Sequence, residues 1–109
     1  MYAVARETTY IPGAPVFRSP EFLEFQEAHA KRPGYRGTVV VDVGEGRYVT
    51  LTLWQTADDM NAAREALSPI VQRLLEPLMM APSVLLGTGP VVVNDLVADG
   101  DGTSSERSA

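Results

Sequence analysis

The sequence contains two runs of β-branched and aromatic residues joined by a short glycine-rich segment, within Tyr35–Gln55 (YRGTVVVDVGEGRYVTLTLWQ). Such runs predict two β-strands, and the intervening Gly44–Gly46 segment predicts a tight hairpin turn. With these three residues as the loop, Val41 lies opposite Val49. A slip of one residue would exchange the two faces of the hairpin, so the turn determines which side chains share a face.

The predicted pairing gives the hairpin two faces of different character. The first face is wholly apolar and contains Val39, Val41, Val43, Val49, Leu51 and Leu53. The second face is amphipathic and contains Arg36, Thr38, Val40, Asp42, Tyr48, Thr50, Thr52 and Trp54. On it, Arg36 is predicted to lie opposite Trp54, close enough for a cation–π contact. The hydroxyl groups suit a cavity wall, so we expect Trp54 and Arg36 to share a pocket beneath the helices. An ordinary half-exposed sheet face is the alternative.

The first half of the chain predicts one strand and one helix before the hairpin. Tyr2–Tyr10 has the composition of a strand. Ser19 followed by Pro20 is typical of a helix start, and the helix is expected to end near Ala30. The expected buried side of this helix contains Phe22, Phe25, Ala28 and His29, which recur near the helical spacing.

The second half predicts a further helix and a last strand. Thr56 is the expected cap of the second helix, and Ser68-Pro69 is expected to kink or break it before a further helical segment. Pro77 is expected to end or bend that segment. Ser83–Val93 has the composition of a strand that is interrupted at Gly87–Pro90, by a bulge or a corner.

The predicted order of elements is that of a ferredoxin-like α+β sandwich (βαββαβ), with a four-stranded antiparallel sheet and both helices on one face. We expect one such domain over residues 1–97 and a disordered acidic tail over 98–109, which has no apolar anchor. Helices cover only one face of the sheet, and a wholly apolar second face exceeds what a monomer normally exposes. The sequence therefore predicts a homodimer in which two sheets pack face to face.

Composition excludes several classes of function. The chain has 109 residues, a net charge of −5 and no cysteine, so it offers no disulfide, thiol nucleophile or thiolate metal site. Its nine basic residues are scattered, which argues against a nucleic-acid surface. No apolar run approaches the ~20 residues of a membrane span, and the first residues lack the apolar core of a signal peptide. We expect a cytoplasmic protein that binds neither nucleic acid nor membrane.

Two segments resemble the antibiotic-biosynthesis monooxygenase family of dimeric α/β barrels. One is Arg32–Tyr35 (RPGY), which enters the second strand, and the other is Val49–Thr56 (VTLTLWQT), which closes the third strand and opens a helix. The order and lengths of the elements agree from about residue 2 to residue 94. The resemblance implies a dimeric barrel. It also implies cofactor-independent oxidation of an aromatic, polyketide- or quinone-like small molecule by O₂.

The resemblance also implies where the site lies. Members that oxidise polyketides hold a quinone-like or phenolate substrate with a pocket Trp and an Arg. Trp54 matches that Trp, and Arg36 or Arg64 lies near the Arg position. The haem-degrading branch uses Asn, Trp and His, which fall near Glu7, on Trp54 and near Arg64. Only the Trp is present, so the resemblance implies no haem, and we expect no cofactor and no metal.

Each predicted site residue has a second interpretation. The catalytic candidates are Trp54, Arg36, Glu7 and Arg64, and the substrate-binding candidates are Tyr48, Thr38, Thr50, Thr52 and His29. Trp54 is equally consistent with a core residue, and Arg36 with a solvated edge position. Glu7 is a general base if buried and a solvated strand residue otherwise. Arg64 can pair with Asp59 or Glu65 near the surface. His29 suits a helix C-terminus and is also the chain's one histidine available as a base.

Three functions are consistent with the sequence. The first is a cofactor-free monooxygenase acting on an aromatic, quinone-forming molecule. The second is a non-catalytic dimeric binding protein for a small apolar ligand. The third is a structural dimer whose interior is filled by its own side chains. A filled interior beneath Trp54 would favour the third, and oxygen consumption separates the first two.

Overall fold

A four-stranded antiparallel sheet and two helices form the framework of the protein. The computed structural model describes residues 1–96. The strands are β1 (Tyr2–Thr9), β2 (Tyr35–Gly44), β3 (Arg47–Trp54) and β4 (Val84–Pro90), arranged in the order β2-β3-β1-β4. The helices are α1 (Pro20–Ala30) and α2 (Ala57–Leu74), with short 3₁₀ turns at Val16–Arg18 and Glu76–Leu78. This is the predicted ferredoxin-like α+β architecture, and that prediction is confirmed.

Both helices begin at the caps that the sequence predicts. The Ser19 hydroxyl accepts a hydrogen bond from the Phe22 amide at 3.1 Å, and Pro20 occupies the first turn of α1. At α2 the Thr56 hydroxyl accepts from the Asp59 amide at 3.0 Å. Each bond satisfies an amide that a helix start leaves without a partner inside the helix.

The α2 helix continues through Pro69, so of the predicted kink or break at Ser68-Pro69 the break is wrong. Its buried side chains, Met60, Ala63, Leu67 and Leu74, lie on one stripe on both sides of the proline. Burial of this stripe outweighs the hydrogen bond that proline removes. The helix ends at Leu74, and Pro77 lies in the 3₁₀ turn beyond it. Within residues 1–96, no helix is long and apolar enough to cross a lipid bilayer.

The body of the hairpin has the predicted register. Val41 pairs with Val49, as predicted. The turn is shorter than predicted, because Gly44 pairs with Arg47 and only Glu45 and Gly46 form the loop. Their φ angles, 61° and 76°, are those of a type I′ turn. Because Gly44 belongs to the strand, β2 has one extra residue near the turn. It lies at the irregularity between Asp42 and Gly44, and the rest of the pairing is unchanged.

A second irregularity in β2 makes the predicted Arg36–Trp54 pairing wrong. The register shifts between Tyr35 and Gly37, so Tyr35 lies opposite Trp54 instead. Gly37 has a φ of 132°, which glycine adopts readily and which accommodates the extra residue. The exposed Arg36 side chain donates to the Gln55 Oε1 atom at 2.9 Å.

The last strand is shorter than the predicted Ser83–Val93. It ends at Pro90. The strand has a bulge at Leu86, between the pairs Arg6–Leu85 and Ala5–Gly87, and not the predicted interruption at Gly87–Pro90. Beyond it the chain stays close to the sheet, since the Val91 amide donates to the Met1 carbonyl at 2.8 Å. The predicted disordered segment, 98–109, lies outside the described residues.

None of the helices in the described part of the chain covers the aliphatic face of the sheet. Its members Val39, Val41, Val43 and Leu51 are 40–48% exposed, whereas Leu53 on the same face is buried. A neighbouring shallow depression on this side is lined by Ala3, Ala5, Leu51 and the chain from Leu86 to Pro90. The predicted separation of the hairpin into an aliphatic face and a helix-covered face therefore holds in the folded chain.

Candidate functional site

A cavity of about 370 Å³ lies between the sheet and the two helices. From the sheet it is lined by Val4, Arg6, Thr8, Thr38, Val40, Thr50, Thr52 and Trp54. From the helices it is lined by Phe22, Phe25, Gln26 and His29 of α1 and by Met60, Arg64, Leu67, Ser68 and Val71 of α2. The exposed members Gln26, Arg64 and Ser68 indicate that it opens to solvent between the helices. Its presence disfavours an interior filled entirely by side chains.

The α1 helix faces this cavity instead of a dense core. None of its residues is fully buried, and its predicted inward side chains are half-buried. Three of these, Phe22, Phe25 and His29, line the cavity. The helical spacing therefore predicted the correct side of α1, but that side borders open space.

One wall of the cavity is a row of aromatic rings. Neighbouring ring centroids are 5.8 Å apart for Tyr10 and Phe17, 4.9 Å for Phe17 and Phe22, and 6.2 Å for Phe22 and Phe25. Phe25 is followed by His29 at 5.1 Å, and His29 by Trp54 at 5.5 Å. We call these six residues the aromatic wall. Such a surface is suited to stacking against a flat, unsaturated ligand.

Trp54 belongs both to the core and to the cavity. Its side chain is 2% exposed and packs with Met60, Ala63 and Leu67. It also lines the cavity, and the Tyr35 ring meets it edge to face at 5.6 Å. The two interpretations of this residue from the sequence are therefore compatible.

Two arginines face the cavity, and neither has an acidic partner among residues 1–96. Arg6 of β1 and Arg64 of α2 are both in its lining. The ion pairs within residues 1–96 join Lys31 with Glu27, Arg47 with Glu7, and Arg73 with Glu24. Burial and, next, the nearby positive charge of Arg64 lower the pKa of Arg6. The cavity thus has an excess of positive charge opposite a largely apolar wall.

Two of the predicted catalytic residues do not lie in the cavity. Glu7 is on the uncovered side of β1, where its Oε2 atom accepts from Nε of Arg47 at 3.2 Å. It is therefore not the desolvated base that its functional interpretation requires. Arg36 is also absent from the lining, since the β2 irregularity directs its side chain to Gln55. Of the four predicted catalytic residues, the cavity brings together Trp54 and Arg64.

The predicted threonines line the cavity and partly satisfy one another. Tyr35 donates from its hydroxyl to Thr38 at 3.0 Å, and the Thr38 and Thr52 hydroxyls are 3.2 Å apart. Thr50 also faces the cavity, whereas Tyr48 is not in the lining. Tyr48 instead packs behind the aromatic wall, 4.8 Å from the Phe17 ring.

His29 is held as a neutral side chain. Its ring lies 5.0 Å from that of Tyr35 and between those of Phe25 and Trp54. Burial lowers the pKa of His29 from 6.5 to about 4. The helix C-terminus favours the protonated ring, but desolvation outweighs that effect. Within residues 1–96 no three histidine or acidic side chains converge to hold a metal ion.

Acid is expected to destabilise the protein through His29. Because the folded pKa is about 4 and the ordinary value is 6.5, the unfolded chain binds an extra proton between these pH values. The contribution is fully present above pH ~6.5 and is lost as the pH falls towards about 4. Between pH 7 and pH 5 we expect wild type to lose ~2 kcal/mol of unfolding free energy relative to His29→Phe. Urea unfolding at both pH values measures this, and equal pH dependence of the two proteins would contradict it.

Arg6, Tyr10 and Phe17 also line the cavity, and the sequence analysis does not predict them as site residues. A signal for Arg6 existed, because strict alternation along β1 places it on the same face as Val4 and Thr8. No local pattern indicates Phe17, which is in a 3₁₀ turn and reaches the cavity through contacts with Tyr10 and Phe22.

The sheet, its covering helices and the space between them define a ferredoxin-like α+β protein with a ligand-sized cavity. No family model and no curated protein matches the sequence. Solved structures, in contrast, match its fold. SnoaB, described as a cofactor-independent oxygenase from Streptomyces nogalater, aligns with a TM-score of 0.65 at 18% identity, covering 85% of this chain and 94% of that chain.

Two further structures extend the comparison. One described as an antibiotic biosynthesis monooxygenase aligns with a TM-score of 0.66 at 16% identity, covering 85% of this chain and 100% of that chain. NE2512, a protein of unknown function from Nitrosomonas europaea, has a TM-score of 0.69 at 10% identity, covering 90% and 95%. The chain has the fold of antibiotic biosynthesis monooxygenases, and the predicted resemblance is confirmed at the level of the fold.

Proposed function

We propose that the protein is a cofactor-independent monooxygenase that oxidises an aromatic, quinone-forming small molecule with O₂. One observation carries the proposal: one cavity joins the aromatic wall to the guanidinium groups of Arg6 and Arg64, neither of which forms an ion pair within residues 1–96. An aromatic wall binds a flat ring system, and a cation favours the ring system's deprotonated form. The fold shared with SnoaB, which is described as a cofactor-independent oxygenase, supports the same reaction class.

The proposed reaction needs only the substrate and O₂. A substrate with an acidic ring CH₂ group loses a proton and becomes a resonance-stabilised anion. The anion gives one electron to O₂, and the two resulting radicals combine into a peroxide anion, which takes up a proton in place of the one released and becomes a hydroperoxide. Loss of water then leaves a carbonyl, so each CH₂ group and one O₂ give one C=O group and one H₂O.

In this reaction the side chains act by binding and by electrostatics. Arg64 and Arg6 stabilise the anion, and the apolar wall of the cavity makes their effect larger than it would be in bulk water. Trp54 and the other rings hold the substrate plane in place. Neutral His29 can accept a hydrogen bond from the substrate without adding charge.

The proposal includes a homodimer formed through the aliphatic face. Val39, Val41, Val43 and Leu51 expose a continuous apolar surface on the side that the helices leave open. A two-fold dimer brings the same surface of both copies together, and an apolar surface can pack against an identical apolar surface. Packing two sheets in this way leaves both cavities on the outer, helical sides.

Oxygen uptake tests the proposed activity. We expect an anthrone-type substrate to cause O₂ consumption above the buffer rate, with quinone and water as products. Arg64→Gln is expected to lower the rate by roughly 10²-fold, the scale for losing one preorganised electrostatic contact. Arg36→Gln removes an arginine outside the cavity and is the matched control, expected to keep the wild-type rate. Failure of several such substrates to raise uptake above the buffer rate would contradict the proposal.

A non-catalytic binding protein for a small ligand is the second candidate. It is favoured by the pKa values of His29 and Tyr10 in the cavity, because neither of these two side chains titrates near neutral pH. Burial lowers the pKa of His29 to about 4, and burial raises that of Tyr10 to about 12. A general base works best with a pKa near the working pH. Ligand binding without O₂ uptake would establish this candidate over the first.

A further inference from the structure

Three hydroxyl groups form a hydrogen-bonded chain between the edge strand β2 and the cavity. The Tyr35 hydroxyl donates to Thr38 at 3.0 Å, and the Thr38 and Thr52 hydroxyls are 3.2 Å apart. Both threonines line the cavity, whereas Tyr35 lies outside the lining and is half-buried. The chain therefore joins the cavity to a side chain that is partly open to water.

The number of hydrogens in this chain leaves one for the cavity. Each of the three hydroxyl groups carries one hydrogen, and the two hydrogen bonds between the groups use two of them. Because Tyr35 gives its hydrogen to Thr38, the remaining hydrogen belongs to one of the two threonines. Neither threonine hydroxyl donates to any other group within residues 1–96, so this hydrogen is available to a molecule in the cavity.

The proposed reaction needs a proton when the peroxide anion forms. Two other ionisable groups at the cavity are poor sources of it, because burial leaves His29 neutral and raises the pKa of Tyr10 to about 12. The phenol of a tyrosine is a stronger acid than the hydroxyl of a threonine. A threonine hydroxyl can accept one proton while it gives up another, so it can pass on a proton without being an acid itself.

We propose that Tyr35 supplies the proton of the hydroperoxide through Thr38 and Thr52. This inference deepens the proposed function and rests on it for the peroxide anion. Thr38 takes the proton of Tyr35 and gives its own to Thr52, which in turn gives its own to the peroxide oxygen. One O–H bond thus breaks at Tyr35 and one forms on the peroxide. The electron pair left on Tyr35 makes a phenolate, which recovers a proton from water.

Removing the first hydroxyl group tests this proton path. In Tyr35→Phe the ring still packs against His29 and Trp54, but it has no proton to give. A peroxide anion that stays unprotonated can break its new C–O bond and release superoxide. With an anthrone-type substrate, we expect the rate of quinone formation to fall at least about tenfold. Superoxide, measured by cytochrome c reduction, is expected to appear in the variant and not in wild type.

Substitutions at Thr38 separate the hydroxyl group from the shape of the side chain. Thr38→Val keeps the shape and interrupts the path, so it is expected to lose quinone formation and release superoxide as Tyr35→Phe does. Thr38→Ser keeps the hydroxyl group and is expected to restore most of the rate. Tyr2→Phe is the control, because Tyr2 packs against the same core cluster but lies outside the cavity lining and the hydroxyl chain. It is expected to behave as wild type.

The outcomes separate this inference from the proposed activity. A Tyr35→Phe variant that forms quinone at the wild-type rate without superoxide overturns the proton path and leaves the monooxygenase. Equal losses in Thr38→Ser and Thr38→Val also overturn it, and this comparison holds even where Tyr35→Phe does not fold. A wild-type protein that consumes no O₂ with any anthrone-type substrate removes the proposed function, and the peroxide anion and its proton path with it.

Discussion

Replacing Leu51 with aspartate is expected to dissociate the protein into monomers or to unfold it. Leu51 lies at the centre of the aliphatic face, paired with Val39 and with Ala5 on the neighbouring strands. In the proposed dimer this substitution buries an unpaired charge, at a cost of at least ~3 kcal/mol per site. In a monomer the same side chain is 40% exposed, and its replacement changes stability by only about 0.5 kcal/mol.

Light scattering and urea unfolding measure the effect, and Leu23→Asp is the matched control. Leu23 is 58% exposed on α1, on the helical side of the molecule. We expect the control to keep twice the mass of one chain and nearly wild-type stability. A wild-type protein with the mass of a single chain, or a Leu51→Asp variant as stable and dimeric as the control, would contradict the proposed interface.

Gly34→Ala is expected to destabilise the protein by about 3 kcal/mol. Gly34 has a φ of 80°, which a residue with a side chain adopts only with strain. A Cβ atom there would also lie 2.7 Å from the Cβ atom of Asp59, at the start of α2. Relief would require either α2 or the β2 entry to move. The Gly34 carbonyl also accepts a hydrogen bond from the Gln55 amide at 2.8 Å, which such a movement would strain.

Gly13→Ala separates the two causes. Gly13 has nearly the same φ, 82°, but a Cβ atom there would have no neighbour within 4 Å. It is therefore expected to show only the backbone strain, ~1 kcal/mol. Thermal and urea unfolding of both variants give the comparison. Similar losses for the two would show that the contact with Asp59 is relieved at no cost.

The order of elements was predictable because each element has a local signal. Alternation specifies the strands, Ser19 and Thr56 mark the helix starts, and the Gly44–Gly46 segment marks the hairpin turn. The bulge before Gly37 has no comparable signal, since a glycine in a strand is consistent with either regular or bulged pairing. A regular register, without that extra residue, places Arg36 opposite Trp54, which is why the prediction put Arg36 in the pocket.

The sequence predicts those site residues whose positions depend on the pairing within the hairpin alone. Trp54 and the threonines of the hairpin follow from alternation on β2 and β3, so their common face was predicted. The meeting of Arg6 with Arg64 depends on how α2 lies across β1, which involves residues far apart in the chain. The same holds for the aromatic wall, which extends from Tyr10 to Trp54.

The irregularities of β2 and β4 have a further consequence, because these strands are the two edges of the sheet. A straight edge presents a regular row of free amides and carbonyls, to which another chain can add a strand and begin a fibril. A bulge interrupts that row and increases the local twist. The bulges therefore disfavour edge-to-edge association at both edges of the sheet. This matters most for β2, because valine-rich strands are prone to such association. In the proposed dimer, the contacts between copies are made by the face of the sheet, where they close after two.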